Sequence, residues 1–251
     1  MPLIGGTFGY QLLKRIAPMG KGKVAMDGSA YKEGDKLAIL LGRDTLEELR
    51  GKTIVDFGCG EGQECIELLR HGAAHVIGVD IQSRFLQKAA EVAESCGVSD
   101  RCTFATSWGG KADAIVSIDS FEHFDDPEGV LRAMHGMLRP DGRLFVSFGP
   151  SWYHPLGGHL FSVFPWAHLV FSEASLIRWR TDFKDDGATR FSEVAGGLNQ
   201  MTITRFEQIV ARSDFVLERL RAVPIRRLAP IHNSMTREFT TAIVQATLRI
   251  R

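Results

Sequence analysis

Residues 53–64 read TIVDFGCGEGQE and combine a short apolar run with three alternate glycines and an acid, Asp56. The run TIVDFG is typical of a buried strand. Glycines at Gly58, Gly60 and Gly62 keep side chains out of the turn, and the helix that follows offers amide donors at its N-terminus. The stretch therefore predicts a strand, a turn and a helix, with a ligand bound at the turn.

The chain after this unit continues the alternation of strands and helices. Further strands are predicted at HVIGVD, CTFAT, AIVSID and RLFVSFG. The helices between them are predicted at EGQECIELLRHG, SRFLQKAAEVAESCG and DDPEGVLRAMHGML, the last with Pro127 in its first turn and a Pro-Asp-Gly turn after it. This rhythm predicts an α/β, doubly wound, mostly parallel sheet whose ligand lies at the carboxyl ends of the strands.

The pattern divides the chain into four parts. We predict a helical preface at 1–50, a core at 51–149, an insertion at 150–200, and a closing helix with two strands of the same domain at 201–251. Asp44 or Thr45 is predicted to cap a short helix of the preface, and a threonine to cap the closing helix. The insertion is rich in aromatic residues, histidine, proline and glycine, so we expect a lid over the strand ends.

Composition limits the range of partners. With 251 residues, 44% of them hydrophobic, the chain can bury a full core. Its 30 basic and 30 acidic residues cancel, which argues against nucleic acid or an anionic membrane as partner, although nine arginines face four acids between Met201 and Arg251. No CxxC pair, signal architecture or spanning apolar run occurs, so we expect reduced thiols, no transmembrane segment and a cytoplasmic location.

Two acids near the glycine turn indicate the ligand. A dinucleotide fold places its third glycine three positions after the second, whereas Gly60 and Gly62 are two apart. Asp56 would repel a pyrophosphate but suits an ammonium group. Asp80 ends the second strand, where an acid can accept hydrogen bonds from both hydroxyls of a ribose. A ribose and a cationic amino-acid end without phosphate describe S-adenosyl-L-methionine.

The ordered motifs resemble those of a known family. VDFGCGEG, VIGVD and DAIVSIDSFEHFDDPEGVLRAMHGMLRPDGRLFVSF are similar to the class I S-adenosylmethionine-dependent methyltransferases, especially the small-molecule branch that includes the ubiquinone-biosynthesis O-methyltransferases. The resemblance covers residues 51–149, with a weaker echo at TRFEQIVARSDFVLE. It implies a Rossmann-like sheet of seven strands, mostly parallel, with an antiparallel last strand.

The resemblance also implies which residues bind the cofactor. Asp56 and the glycine loop would contact the methionine moiety, Asp80 the ribose and Ile81 the adenine. Because FATSWGG lacks the acid that many relatives place after the third strand, Thr106, Ser107 or Trp108 must contact the adenine instead. The predicted cofactor-binding set is Asp56, Gly58, Cys59, Gly60, Gly62, Asp80, Ile81, Thr106, Ser107 and Asp119. Cys59 is more simply a small filler than a nucleophile.

Two histidines are candidates for catalysis. Methyl transfer from a sulfonium to a hydroxyl requires alignment and removal of a proton. His123, in SIDSFEHF after the fourth strand, could accept that proton near neutral pH, or could only pack the following helix. His159 could face the methyl group from an aromatic or apolar acceptor pocket built by the insertion. The alternative is a lid whose aromatic residues pack on one another.

The same loop offers a metal-binding alternative. Asp119, Glu122 and His123 form D-x-x-E-H, similar to an arrangement implicated in divalent metal binding in some ubiquinone-pathway O-methyltransferases. A metal there could lower the pKa of an acceptor hydroxyl. Relatives without a known metal share the Glu-His pair, so we do not expect a metal by default.

Three functions remain open. The first is a methyltransferase for a small molecule, most simply at a hydroxyl, with Arg226 and Arg227 as candidate contacts for an acidic group. The second is an RNA or protein methyltransferase, which the arginine-rich C-terminal segment favours and the neutral total charge disfavours. The third is an S-adenosylmethionine-binding partner protein without activity.

Overall fold

The computed structural model describes residues 2–20, 35–194 and 196–251. Within these ranges seven strands form a sheet in the order β3-β2-β1-β4-β5-β7-β6. The strands are β1 Thr53–Phe57, β2 His75–Val79, β3 Cys102–Ala105, β4 Ala112–Ile118, β5 Leu138–Phe148, β6 Phe215–Pro224 and β7 Thr241–Ile250. Strand β7 runs antiparallel to both neighbours, while the other adjacent pairs are parallel. The predicted Rossmann-like fold class is confirmed.

Helices connect and cover the strands. They are α1 Gly6–Ile16, α2 Lys36–Leu40, α3 Arg43–Glu48, α4 Gln63–Arg70, α5 Ser83–Ser95, α6 Pro127–Met137, α7 Ala167–Val170, α8 Glu173–Arg180, α9 Ile203–Ala211 and α10 Arg237–Thr240. The side chain of Asp126 caps α6 by accepting from the Gly129 amide, and Thr202 caps α9 by accepting from Arg205. The predicted threonine cap of the closing helix is confirmed.

Two local predictions need correction. Asp44 and Thr45 are not caps, because α3 begins at Arg43 behind Gly42, whose φ of +90° glycine tolerates best. Asp35 is the capping side chain of the preface, accepting from the Ala38 amide at the start of α2. The Pro-Asp-Gly stretch is not a separate turn: it lies within β5, where the register with β4 shifts.

The described residues form three apolar cores. One core lies between the sheet and α6 and α9, and a second lies between the opposite sheet face and α2 to α5. The third joins the insertion to α1, and its fully buried members include Leu13, Phe161, Phe171 and Trp179. The aromatic residues of the insertion therefore form a core of their own, to which the first helix of the preface also belongs.

The topology places the ligand-binding edge. Strand β1 pairs with β2 on one side and β4 on the other, so the strand order reverses at the end of β1. The glycine turn follows β1 at this switch point, where open α/β sheets bind their ligands.

A substitution at Gly62 tests whether the turn requires glycine. Its φ is +79°, and a Cβ would lie 2.8 Å from Ala89 Cβ and 3.1 Å from the Phe104 ring. We expect Gly62→Ala to lower the free energy of unfolding by about 1–3 kcal/mol through strain and overpacking. The control is Gly136→Ala in α6, where no atom lies within 4 Å and the change should be neutral or stabilising. Urea unfolding measures both, and wild-type stability in Gly62→Ala would contradict the packing.

Candidate active site

A cavity of about 420 Å³ lies at the carboxyl ends of β1 and β2. Its wall includes Gly58, Asp80, Ile81 and Thr106, all predicted to bind the cofactor, and also His123. The side chain of Ile81 is 89% exposed, which leaves an apolar surface available to a ligand. The cavity therefore brings the predicted ribose and adenine residues together at one edge of the sheet.

Asp80 holds the glycine turn in place. One of its carboxylate oxygens accepts a hydrogen bond from the Gly60 amide at 3.0 Å, and the other accepts from the Gln82 amide at 2.8 Å. Each carboxylate oxygen has further lone pairs, so both can also accept from a ligand hydroxyl. The carboxylate is thus fixed in orientation at the wall of the cavity.

Asp56 lies behind the turn. It is 2% exposed, and its Oδ2 accepts from the Cys65 thiol at 3.2 Å. Burial, with a further contribution from Glu64, raises the pKa of Asp56 to about 7. Cys59 is also buried beneath the turn, at 3% exposure. The structure therefore places Asp56 and Cys59 under the glycine backbone, while Gly58 lines the cavity.

Ser120 is a close neighbour of the turn that the sequence did not single out. A Cβ on Gly58 would lie 2.5 Å from Ser120 Oγ, and the φ of Gly58 is +87°. The hydroxyl of Ser120 donates to the carbonyl oxygen of Ile118 at 2.8 Å and lies 3.3 Å from that of Gly58. Gly58 is consequently required where the loop after β4 crosses the loop after β1.

Residues of the insertion form hydrogen bonds with the loop after β4. The Asn199 side chain donates to the carbonyl oxygens of Phe121 at 2.9 Å and Phe124 at 2.8 Å. His123 Nδ1 lies 2.9 Å from the carbonyl oxygen of Gly197, to which it donates as a protonated nitrogen. These hydrogen bonds come from the sequence GGLN, in which two glycines permit a turn and an asparagine offers a short amide side chain.

Glu122, His123 and His159 converge beside the cavity. Ligand atoms of these three residues all lie within 4.8 Å of one another, and the two imidazole centroids are 5.2 Å apart. Glu122 is 2% exposed and accepts from the Gly149 amide at 3.2 Å through Oε1. Its Oε2 and the Nε2 of His159 are buried, and neither has a hydrogen-bond partner among the residues that the structure describes. We call these residues the Glu-His-His cluster.

Burial shifts the pKa values of this cluster in opposite directions. Burial, with the nearby charge of Asp119, raises the pKa of Glu122 to about 8. Burial and then repulsion by the neighbouring histidines, His123 foremost, lower the pKa of His159 to about 4. Both changes favour the uncharged forms. An uncharged acid therefore lies beside an uncharged imidazole.

The predicted trio of Asp119, Glu122 and His123 is arranged differently. The Asp119 carboxylate lies 3.2 Å from Lys36 Nζ, and Lys36 also contacts Glu64 at 2.5 Å. His159 rather than Asp119 approaches Glu122 and His123 in the part of the chain that the structure describes. Asp119 and His159 have φ angles of +49° and +51°, which are uncommon for residues other than glycine.

A second cavity of about 280 Å³ shares a wall with the first. His123 and Gly197 line both cavities, and His159 lines the second. Its other walls carry apolar residues, Leu160, Phe161, Val194 and Leu198, and two cations, Arg180 and Lys184. Arg180 is 4% exposed and paired with Asp186. The insertion thus encloses a space of small-molecule size next to the candidate cofactor cavity.

The remaining predicted residues lie apart from this junction. Ser107 is exposed beyond β3, and Trp108 packs on the sheet core. A further histidine of the insertion, His168, is buried, with its ring nitrogens hydrogen-bonded to Ser162 and to the carbonyl oxygen of Trp152. Arg226 and Arg227 are exposed.

Comparison with known proteins identifies the family. A family model described as a methyltransferase domain matches residues 33–220. The ubiquinone biosynthesis O-methyltransferase of Neisseria meningitidis serogroup C is 33% identical over 107 residues, which is 40% of this chain and 45% of that protein. The ribosomal protein L11 methyltransferase of Salmonella arizonae is 52% identical over 54 residues, covering 22% of this chain and 18% of that protein.

Solved structures show the same fold. The S-adenosylmethionine-dependent methyltransferase from Mesorhizobium loti has a TM-score of 0.52 and 18% identity, covering 82% of this chain and 96% of that one. The chain therefore belongs to the methyltransferase-domain family, and the predicted resemblance to class I enzymes is confirmed. S-adenosyl-L-methionine is the cofactor that this membership implies. The matched segments span less than half the length of the two curated relatives.

Within the described ranges, no helix has both the length and the apolar character that crossing a membrane requires. The four cysteines are free thiols, and Cys96 is exposed.

The raised pKa of Glu122 predicts a pH dependence of stability. The folded protein keeps a proton on Glu122 that the unfolded chain releases above about pH 4.5. The contribution of Glu122 is thus fully present below pH 4.5 and is lost as the pH rises through about 8, with a slope of up to about 1.4 kcal/mol per pH unit. Glu122→Gln should therefore become more stable relative to wild type as the pH increases.

Urea unfolding at pH 5, 6.5 and 8 in the presence of a chelator measures this difference. The matched control is Glu94→Gln, at an exposed position of α5, whose difference from wild type should not vary with pH. A constant difference for Glu122→Gln across the three pH values would show that its carboxyl group titrates normally.

Proposed function

We propose that this chain transfers a methyl group from S-adenosyl-L-methionine to a hydroxyl group of a small molecule. The observation that supports this most is the shared wall of the two cavities at His123 and Gly197. A donor in the larger cavity and an acceptor in the smaller one would meet at this wall. Methyl transfer needs such an in-line approach of the two reacting atoms.

The larger cavity supports a placement of the donor. Asp80 accepts hydrogen bonds from the ribose hydroxyls, Ile81 packs on the adenine and Thr106 lies beside it. The glycine turn would face the methionine moiety, with Asp56 buried beneath it. A Cβ on Gly60 would meet none of the described residues within 4 Å, so a ligand could approach the main chain closely there.

The smaller cavity supports a small and partly apolar acceptor. A volume of about 280 Å³ is close to the lower end of the range for small-molecule sites, roughly 300–1,000 Å³. Leu160, Phe161 and Leu198 provide apolar contacts, and the cationic Lys184 suits an acceptor that also carries an acidic group. The insertion that lines this cavity lies outside the sheet. Its residues can therefore differ, and change which acceptor binds, without changing the residues proposed to bind the donor.

His123 is positioned to accept the proton of the acceptor hydroxyl. Its Nδ1 donates to Gly197, which leaves Nε2 with a free lone pair. In the proposed step the hydroxyl proton passes to Nε2 while the oxygen forms a bond to the methyl carbon. The carbon–sulfur bond breaks, its electron pair remains on sulfur, and the neutral thioether is released as product. His159 stands beside His123 as an uncharged imidazole that orients the acceptor.

Protein methylation is the second candidate. It is favoured by the match to the L11 methyltransferase, although that match covers 18% of the relative. The volume and the apolar lining of the smaller cavity support the small-molecule proposal instead. Incubation with a donor carrying a radiolabelled methyl group separates the two, because label would appear either in extractable small hydroxylated compounds or in precipitated protein or RNA.

Substitution of the two histidines tests the proposed chemistry. His123→Asn keeps a donor to Gly197 but loses Nε2, and His159→Asn keeps a residue that tolerates positive φ. We expect each to reduce kcat with a hydroxylated acceptor, by roughly 10²–10⁴-fold for His123→Asn. Donor affinity, measured by calorimetry, should remain within about threefold of wild type, which corresponds to less than 1 kcal/mol.

The matched control is His154→Asn, a partly buried histidine of the same insertion that does not line the smaller cavity. Its kcat should be close to that of wild type. Equal kcat values for wild type and His123→Asn would assign His123 a structural role only.

A further inference from the structure

We propose that the Glu-His-His cluster binds one divalent transition-metal ion of the Zn²⁺ type. The ligands would be Glu122 Oε2, His123 Nε2 and His159 Nε2. Ligand atoms of these residues lie within 4.8 Å of one another. Metal binding itself is independent of the proposed function, whereas the catalytic role given to the metal below rests on it.

Unpartnered polar atoms provide the first argument. Glu122 is 2% exposed, and its Oε2, like His159 Nε2, is buried with no hydrogen-bond partner in the described ranges 2–20, 35–194 and 196–251. Buried polar atoms in folded proteins are normally paired, so two orphan atoms at one point require an explanation. A cation between them would satisfy both and would offset the cost of burying the carboxylate.

The orientation of the ligands provides the second argument. His123 Nδ1 is held by the Gly197 carbonyl at 2.9 Å, and Glu122 Oε1 by the Gly149 amide at 3.2 Å. Metal-binding histidines usually donate their other ring nitrogen to such a partner, which fixes the tautomer and the ring orientation. These two hydrogen bonds fix His123 and Glu122 and leave His123 Nε2 and Glu122 Oε2 available as ligand atoms.

A neighbouring histidine shows the contrast. His168 is 3% exposed, and both of its ring nitrogens have hydrogen-bond partners, at 3.0 and 2.7 Å. Neither ring nitrogen of His168 is therefore available to bind a metal. In His159, by contrast, Nε2 is buried and has no hydrogen-bond partner among the described residues.

The chemistry of the ligands selects the ion. Two imidazoles and one carboxylate suit Zn²⁺ and related transition metals, whereas Mg²⁺ prefers oxygen ligands. Three protein ligands also leave a coordination position open, as in catalytic zinc sites. Zinc–ligand bonds of about 2.0–2.2 Å require the three side chains to close somewhat from their present separation.

This ligand set differs from the predicted trio of Asp119, Glu122 and His123. The Asp119 carboxylate forms an ion pair with Lys36, with Nζ and Oδ2 3.2 Å apart. His159 takes the third position and comes from the insertion. A metal here would therefore link the insertion to the loop after β4. When bound at the junction of the two cavities, it would lower the pKa of an acceptor hydroxyl at its open position. It would then replace the proton-accepting role proposed for His123, because Nε2 would coordinate the metal instead.

Metal titration of the full chain tests the proposal. The protein is first dialysed against a chelator and then titrated with Zn²⁺ by calorimetry and with Co²⁺ by visible absorption. We expect one equivalent of Zn²⁺ per chain, the visible bands of tetrahedral or five-coordinate Co²⁺, and no displacement by a millimolar excess of Mg²⁺. Zn²⁺ should also raise the Tm of the wild-type chain.

Variants assign the ligands. Glu122→Gln, His123→Asn and His159→Asn should each weaken Zn²⁺ binding at least about tenfold, since even second-shell changes cost roughly 10–100-fold. His154→Asn is the matched control and should bind like wild type. Circular dichroism and calorimetry with the methyl donor establish that each variant is folded. The Tm shift that Zn²⁺ causes in the wild-type chain is a second test, which needs no variant.

The outcomes separate this proposal from the proposed function. Absence of Zn²⁺ binding, or binding that none of the three substitutions weakens, overturns the metal site. Full methyl transfer by chelated protein that binds no Zn²⁺ overturns the metal site and supports the proposed function. Zn²⁺ binding that depends on the three residues, with label transferred only to protein or RNA, supports the metal site and overturns small-molecule methylation.

Discussion

The hydrogen bond from the Gly60 amide to Asp80 is the contact on which the candidate cofactor cavity depends. At 3.0 Å it ties the turn after β1 to the end of β2, and the Gln82 amide holds the second oxygen of the same carboxylate. A chain with side chains in this turn could not close on Asp80 in the same way, since Gly58 and Gly62 both have positive φ and close neighbours. The result is a fixed carboxylate beside bare backbone at the switch point of the sheet.

A second set of contacts connects the insertion to this edge. Asn199 and Gly197 hold the loop after β4 through hydrogen bonds to Phe121, Phe124 and His123. On its other side the same loop contacts the glycine turn, where Ser120 packs on Gly58. One short loop is therefore fixed by the glycine turn on one side and by the insertion on the other. This explains how Glu122, His123 and His159 can lie together.

The sequence predicted the strands and the glycine turn well because the relevant signals are local. Alternating apolar runs determine the strands, and the glycines and Asp80 follow the first and second strands of one strand–turn–helix–strand unit. The junction with the insertion was harder to predict. His159 lies 36 positions after His123, and no periodicity indicates that the two rings meet. Lys36 likewise displaces Asp119 from the cluster through a contact between distant parts of the chain. The predicted cap at Asp44 or Thr45 is wrong because Gly42, which has no side chain, precedes Arg43 at the start of α3.

The central claim is that Asp80 binds the ribose of the donor, and calorimetry with S-adenosyl-L-methionine tests it most directly. Asp80→Ala should weaken binding by about 1–3 kcal/mol, because two ribose hydroxyls lose a charged acceptor. Asp100→Ala, at an exposed position ahead of β3, should bind as wild type does. An unchanged donor affinity in Asp80→Ala, with the protein folded, would contradict the account.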